Sequence, residues 1–103
     1  MIALKKSADE NCRQLLAAYF TKFPNDLLQT ETSLVLKRLS SRQIPMLGKP
    51  GGWADGIIYV VANQNRRACV IPGLLNRESV ELFNVSMETI YRRAWQIRRL
   101  LAL

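Results

Sequence analysis

Histidine is absent from this sequence of 103 residues, and cysteine occurs only twice. Histidine is the commonest metal ligand and the usual proton carrier near neutral pH, so its absence argues against most hydrolase and metalloenzyme mechanisms. Cys12 and Cys69 have no neighbours at the spacing of a metal site, and we expect both to be small buried hydrophobic residues. The sequence therefore predicts no disulfide, no metal and no cofactor.

Other catalytic patterns are missing as well. The acidic residues of the N-terminal part lack the paired spacing of a catalytic carboxylate site: Asp9, Glu10, Asp26, Glu31 and Asp55. Gly51 and Gly52 are not followed by the Lys-Ser/Thr of a phosphate-binding loop. Asp55 and Asn63 are expected to form hydrogen bonds to loops or helix ends. We therefore expect no enzymatic activity.

Long hydrophobic segments are also lacking. The longest apolar run, residues 56–62, is far too short to span a membrane. The first residues, MIALKKS, have neither the long apolar stretch nor the cleavage site typical of a signal peptide. We expect a cytoplasmic protein without a membrane partner.

Positive charge is what the sequence has in excess. Fifteen Lys and Arg residues against eight Asp and Glu give a formal net charge of +7 and a pI near 10.0. All basic residues after position 65 are arginine, whose planar guanidinium pairs with phosphates and guanine edges better than an ammonium group does. This composition favours a polyanionic partner, although ordinary solvated helix faces would also account for it.

The length fits one domain over residues 1–103, and its first segment has a clear helical pattern. Ser7 and Glu10 form a capping box at the start of a helix, and Pro24 should end that helix near Lys22. Apolar residues recur at helical spacing between these limits: Cys12, Leu15, Leu16, Tyr19 and Phe23.

The middle of the sequence predicts two further helices. The first covers residues 32–42, with Leu34, Val35 and Leu39 inward and Lys37 and Arg38 outward. Residues 43–52 are rich in proline and glycine and predict a loop. Residues 53–65, WADGIIYVVANQN, have strand propensity, but their length and all-round apolar character favour a buried central helix. No strand of comparable quality is available to pair with this segment.

The C-terminal part, residues 75–102, predicts a helix-turn-helix element. Asn76 is a plausible N-cap for a helix that ends at Phe83, and Ser86 caps the last helix. Each start has a hydrophobic pair around the cap: Leu75 with Val80, and Val85 with Ile90. Asn84 between the helices tolerates the left-handed conformation that such a turn requires. The predicted fold is thus an all-α domain of about five helices.

The last helix has two contrasting faces. Helical spacing places Ile90, Ala94, Ile97 and Leu101 on a core stripe, and Glu88, Arg92, Trp95 and Arg99 opposite it. In a DNA major groove, residues near the helix start are best placed for base edges: Ser86, Met87, Glu88, Tyr91 and Arg92. Arg93, Arg98 and Arg99 would contact the phosphate backbone.

Two residues on the outer stripe allow other interpretations. Glu88 could accept a hydrogen bond from cytosine, but an acid in the first turn of a helix is also explained by the helix dipole. Trp95 is large and apolar for an exposed position, and contact with another helix or a second copy is favoured over stacking on a base. Arg66 and Arg67 are weak candidates for a second anion contact.

Two elements of the sequence resemble a family of uncharacterised prokaryotic proteins known as a domain of unknown function. The matching positions are Trp53, Ala54, Gly56, Ile57, Tyr59 and Asn65 in the first element, and Val85, Ser86, Thr89, Ile90, Arg93, Ala94 and Ile97 in the second. The proline- and glycine-containing residues 45–50 also look like that family's entry to its tryptophan helix. Both elements are similar in turn to the cyclin-box repeat of transcription factor IIB. The resemblance implies a cyclin-box-like bundle whose last helix contacts DNA, and it carries no enzymatic activity.

The leading hypothesis is a small helix-turn-helix protein that binds duplex DNA in a role related to transcription. The alternative is a cyclin-box-like module that binds a protein partner, or a second copy of itself, through Trp95 and Tyr91. RNA binding is a further alternative, although the usual aromatic platform on a sheet is missing.

Overall fold

The computed structural model of the protein describes residues 8–63 and 76–103. These residues form five α-helices and no strand: α1 (Ala8–Lys22), α2 (Asp26–Ser41), α3 (Pro50–Ala62), α4 (Asn76–Phe83) and α5 (Met87–Leu101). The all-α prediction is confirmed. Ser7, Asn65, Arg66, Arg67, Cys69 and Leu75, for which the sequence predicted roles, lie outside the described residues.

Helix α3 is the centre of the structure. It packs against all four other helices, and its residues 51–61 are all buried, which confirms a buried helix over a strand. The helix begins at Pro50, three residues earlier than predicted, because proline suits the first turn, where its missing N–H needs no partner. The loop predicted over residues 43–52 is therefore confined to residues 43–49.

Helix α1 has the predicted end at Lys22 and buries one face against α3. Its buried residues are Cys12, Leu16, Tyr19 and Phe20. Phe23, which was predicted to belong to the apolar face of this helix, is only partly buried, and Phe20 is the buried phenylalanine instead. Cys12 is a free thiol with no exposed surface, and its burial, with the nearby Asp9 charge, raises its pKa to about 12. The prediction of a small buried residue is confirmed for Cys12.

Two predictions for α2 were wrong, its first residue and the inward position of Leu34. It begins at Asp26, six residues before the predicted start, because the Asn25 side chain accepts a hydrogen bond from the Leu28 N–H at 3.1 Å and caps the helix. The buried stripe then consists of Thr32, Val35, Leu36 and Leu39. Leu34, which was predicted to face inward, lies outside this stripe and keeps 56% of its surface exposed. Lys37 and Arg38 are exposed as predicted.

Helices α4 and α5 are joined by a three-residue turn, residues 84–86, as predicted. Asn84 has a φ of 54°, the left-handed conformation that asparagine tolerates. The Ser86 hydroxyl accepts a hydrogen bond from the Thr89 N–H at 3.2 Å and caps α5. The turn therefore sets the direction in which α5 starts.

Two glycines allow α5 to lie close to α3. A Cβ atom on Gly52 would lie 2.9 Å from Thr89 Cγ2, and one on Gly56 would lie 2.9 Å from Arg93 Cβ and 3.2 Å from the Ala94 backbone nitrogen. Because these distances are shorter than van der Waals contact, any larger residue would push the two helices apart. Gly52 and Gly56 are four positions apart, so they form one notch on the same face of α3.

Replacing Gly56 with alanine tests this notch. Gly56→Ala should lower the free energy of unfolding by about 1–3 kcal/mol, because overpacking outweighs the gain in helix propensity. Urea unfolding followed by circular dichroism measures the change. Ser33→Ala places the same side chain on the exposed surface of α2 and should change the stability by less than about 0.5 kcal/mol. A Gly56→Ala protein as stable as the parent would contradict the close packing.

Candidate nucleic-acid interface

One face of α5 packs on the core and the opposite face is open to solvent. Ile90, Ala94, Ile97 and Leu101 are buried, as predicted. Six residues that are all exposed make up what we call the outer face of α5: Glu88, Tyr91, Arg92, Trp95, Arg98 and Arg99. The α3–α5 contact therefore decides which side chains the helix presents to a partner.

The three residues near the start of α5 that were predicted to contact base edges differ in their surroundings. Ser86 is exposed, but its hydroxyl already serves as the cap of α5. Met87 is half-buried and packs against the core. Glu88 is exposed in the first turn, where its negative charge interacts favourably with the partial positive charge of the helix start. Of these three, only Glu88 has an uncommitted side chain.

Six of the seven arginines whose side chains the structure describes fall into two groups. Arg13 forms an ion pair with Asp9 at 3.2 Å, and Arg38 and Arg42 donate hydrogen bonds to the carbonyls of Leu101 and Leu100. In the part of the chain that the structure describes, the side chains of Arg92 and Arg98 have neither an ion pair nor a hydrogen bond, and that of Arg99 lies only over the Trp95 ring, at 4.9 Å. Among the arginines with described side chains, those whose side chains have no polar partner thus lie on the outer face of α5.

Arg93 is placed differently from its neighbour Arg92. Its guanidinium lies 4.7 Å from the centre of the Trp53 ring and donates to the carbonyl of Leu47 and to Gln96 Oε1, both at 2.9 Å. Burial, and secondly the charge of Arg92, lower the pKa of this guanidinium. Arg93 was predicted as a DNA backbone contact, but it holds the loop before α3 against α5.

The Leu47 carbonyl is the point where this loop is fixed. It accepts one hydrogen bond from Arg93 and a second from the indole N–H of Trp53 at 2.8 Å. Gly48, the next residue, has a φ of 90°, and a Cβ atom there would lie 2.6 Å from Arg93 Nη2. A larger side chain at position 48 would therefore conflict with both the backbone conformation and the guanidinium.

Trp95 remains on the surface. It keeps 57% of its area exposed, so most of the side chain is left uncovered by the described helices. Tyr91, one helical turn earlier, is 41% exposed and meets the buried Tyr59 edge to face at 5.7 Å. Two aromatic rings and three arginines therefore share one exposed surface, which suits either a nucleic acid or a second protein.

A second surface feature was not predicted. A groove of about 630 Å³ is lined by Leu34, Val35, Val60, Val61 and Leu103, with Lys37, Arg38 and Arg42 among its polar residues. It is formed by α2, α3 and Leu103 and does not include the outer face of α5. The sequence pointed to this groove only through Leu34, an apolar residue beside the core stripe of α2. Leu34 was assigned to the core, so the groove was not predicted.

Comparisons with models of protein families, with curated proteins and with solved structures found no match. The resemblance to a domain of unknown function and to the cyclin box thus stays a prediction. None of the helices in residues 8–63 and 76–103 has the length and apolar character needed to cross a membrane. The same residues contain no group of three or more Cys, Asp or Glu side chains that could hold a metal ion.

The contrast between Arg92 and Arg93 can be measured. Arg93→Ala should lower the free energy of unfolding by about 1–3 kcal/mol, because it removes two hydrogen bonds and the contact with Trp53. Arg92→Ala removes the same charge from the outer face and should change the stability by less than about 0.5 kcal/mol. Urea unfolding of both variants provides the comparison. Equal effects would show that Arg93 does not hold the loop.

Proposed function

We propose that this protein binds duplex DNA through the outer face of α5. The observation that carries the proposal is that the described arginines whose side chains have no polar partner all lie on that face. Arg92, Arg98 and Arg99 are exposed and have no carboxylate within 4.0 Å among the described residues. Phosphate groups would give these guanidiniums the charged hydrogen-bond partners that the protein does not supply.

The arrangement of α4 and α5 supports the same proposal. A short turn that holds an exposed second helix is the layout by which helix-turn-helix proteins insert a helix into the major groove. In this orientation Tyr91 and Arg92, nearer the helix start, would face base edges. Arg98 and Arg99, one to two turns later, would contact phosphates. A protein that recognises DNA in this way would act as a transcription-related regulator.

The exposed Trp95 and Tyr91 favour a second candidate function. Large aromatic rings on a surface are typical anchors of protein interfaces. A homodimer or a complex with another protein would cover them through the same outer face. The two functions differ in what the arginines do: phosphate binding requires them, whereas an aromatic interface depends mainly on Trp95.

Salt-dependent DNA binding tests the leading proposal. The affinity of the protein for a labelled duplex, measured by fluorescence anisotropy, should fall steeply as salt rises. Arg98→Ala with Arg99→Ala should weaken binding and reduce the slope of log affinity against log salt by about two, one for each lost phosphate contact. Arg13→Ala with Lys22→Ala removes the same charge from α1 and should leave the slope nearly unchanged.

The outcome separates the two functions. Equal losses in both double variants would mean that net charge alone attracts DNA, and the assignment to α5 would be wrong. Absence of DNA binding at low salt, together with a dimer that Trp95→Ala converts to a monomer in sedimentation measurements, would favour the protein interface instead.

A further inference from the structure

The groove that α2, α3 and Leu103 form, which we call the α2–α3 groove, is largely apolar. Val35, Val60 and Val61 lie at its floor, and Leu34 and Leu103 stand at its sides. Leu34 keeps 56% of its surface exposed and Leu103 keeps 43%, so both offer apolar area to a ligand. The volume of about 630 Å³ lies in the range of small-molecule sites, on the order of 300–1,000 Å³. The groove therefore has the size and the lining to receive the apolar part of a small molecule.

The charges of the groove are separated along α2. Three basic residues line the end toward the C-terminus of this helix: Lys37, Arg38 and Arg42. Glu31 also lines the groove, but it precedes them by six to eleven residues, which is about 9–17 Å along the helix axis. In the part of the chain that the structure describes, no Asp or Glu carboxylate lies within 4.0 Å of the three basic groups. One end of the groove is therefore positive, and apolar residues lead up to it.

Two of these basic groups are held in place by α5. The Arg38 guanidinium donates to the Leu101 carbonyl at 3.2 Å, and that of Arg42 donates to the Leu100 carbonyl at 2.8 Å. Each of these bonds uses one of the five N–H groups of a guanidinium. Arg38 and Arg42 are four residues apart on one helix, a spacing at which like charges repel each other. An anion bound beside them would accept hydrogen bonds from the remaining N–H groups and reduce this repulsion.

We propose that the α2–α3 groove binds a small amphiphilic carboxylate, whose apolar chain lies along Leu34 and Val60 and whose carboxylate pairs with Arg38 and Arg42. Leu34 and Arg42 are about 12 Å apart along the axis of α2, a span that suits a medium-chain fatty acid. A second copy of the protein fits the groove less well, because its net charge of +7 would bring more positive charge to a positive end. The inference does not depend on DNA binding, since the outer face of α5 takes no part in the groove.

Three probes of equal chain length test the groove on the full chain: octanoate, octan-1-ol and octylamine. Nuclear magnetic resonance titration measures their affinities and locates them, and octanoate should shift the amide signals of Val35, Val60, Val61 and Leu103. Octanoate should bind at least about tenfold more tightly than octan-1-ol, the effect of a charged hydrogen bond. Octylamine should bind most weakly of the three because its charge has the same sign as the arginines.

The length of the chain tests the apolar part of the groove. Hexanoate should bind about fourfold more weakly than octanoate, about twofold for each lost CH₂ group, which is half the free energy of full burial because the groove is open on one side. Equal affinities of hexanoate and octanoate would mean that charge alone attracts the probes, and the groove would not be their site.

Two leucines on the surface of α2 provide a matched pair of variants. Leu34→Glu removes apolar surface from the groove and places a carboxylate four residues before Arg38, so it should weaken octanoate at least about fivefold. Leu27 is 71% exposed and lies outside the lining of the groove. Leu27→Glu makes the same chemical change there and should leave the affinity for octanoate nearly unaltered. Both leucines are exposed, and circular dichroism checks that both variants are folded.

The role of the arginines is tested by a second pair. Arg38→Gln with Arg42→Gln should reduce the affinity for octanoate to that for octan-1-ol. Arg13→Gln with Lys22→Gln removes the same charge from α1 and should have little effect. If the first double variant does not fold, the comparison of Leu34→Glu with Leu27→Glu and that of octanoate with octan-1-ol on the unaltered protein still decide.

Four results would overturn the proposal. They are equal affinities for octanoate and octan-1-ol, equal losses in Leu34→Glu and Leu27→Glu, octanoate-induced shifts that spread over the basic surface, and shifts at the groove that depend on protein concentration without any probe. The last result would show that a second copy occupies the groove.

Discussion

The close contact between α3 and α5 at Gly52 and Gly56 is the constraint on which the other features depend. Neither glycine has room for a Cβ atom, since Thr89 and Arg93 occupy that space. The notch fixes the distance between the helices and also the rotation of α5 about its axis. Ile90, Ala94, Ile97 and Leu101 then enter the core, where removal of apolar surface from water stabilises the fold.

The rotation of α5 also determines the different roles of its arginines. Arg93 faces α3 and the loop before it, so its guanidinium lies over the Trp53 ring and donates a hydrogen bond to the Leu47 carbonyl. Arg92, one residue earlier, points to solvent with Arg98 and Arg99. A turn of α5 by one residue would exchange these positions. The outer surface that we assign to DNA is therefore a consequence of how tightly the inner surface packs.

Local patterns in the sequence predicted the helices and the two faces of α5, because caps and helical periodicity depend on neighbouring residues. The predicted start of α2 at residue 32 was too late because the cap that Asn25 forms was not recognised from the apolar pattern. The role of Arg93 was not predictable in the same way, since its acceptor, the Leu47 carbonyl, lies 46 residues away in the chain.

The contact of DNA with the outer face of α5 is tested most directly by nuclear magnetic resonance, with assigned amide signals followed as a duplex is added. We expect the largest shifts at Tyr91, Arg92, Trp95, Arg98 and Arg99, with small shifts on the exposed faces of α1 and α2. Shifts centred on the groove lined by Leu34 and Leu103, or spread evenly over the surface, would contradict the assignment of α5 as the DNA-binding helix.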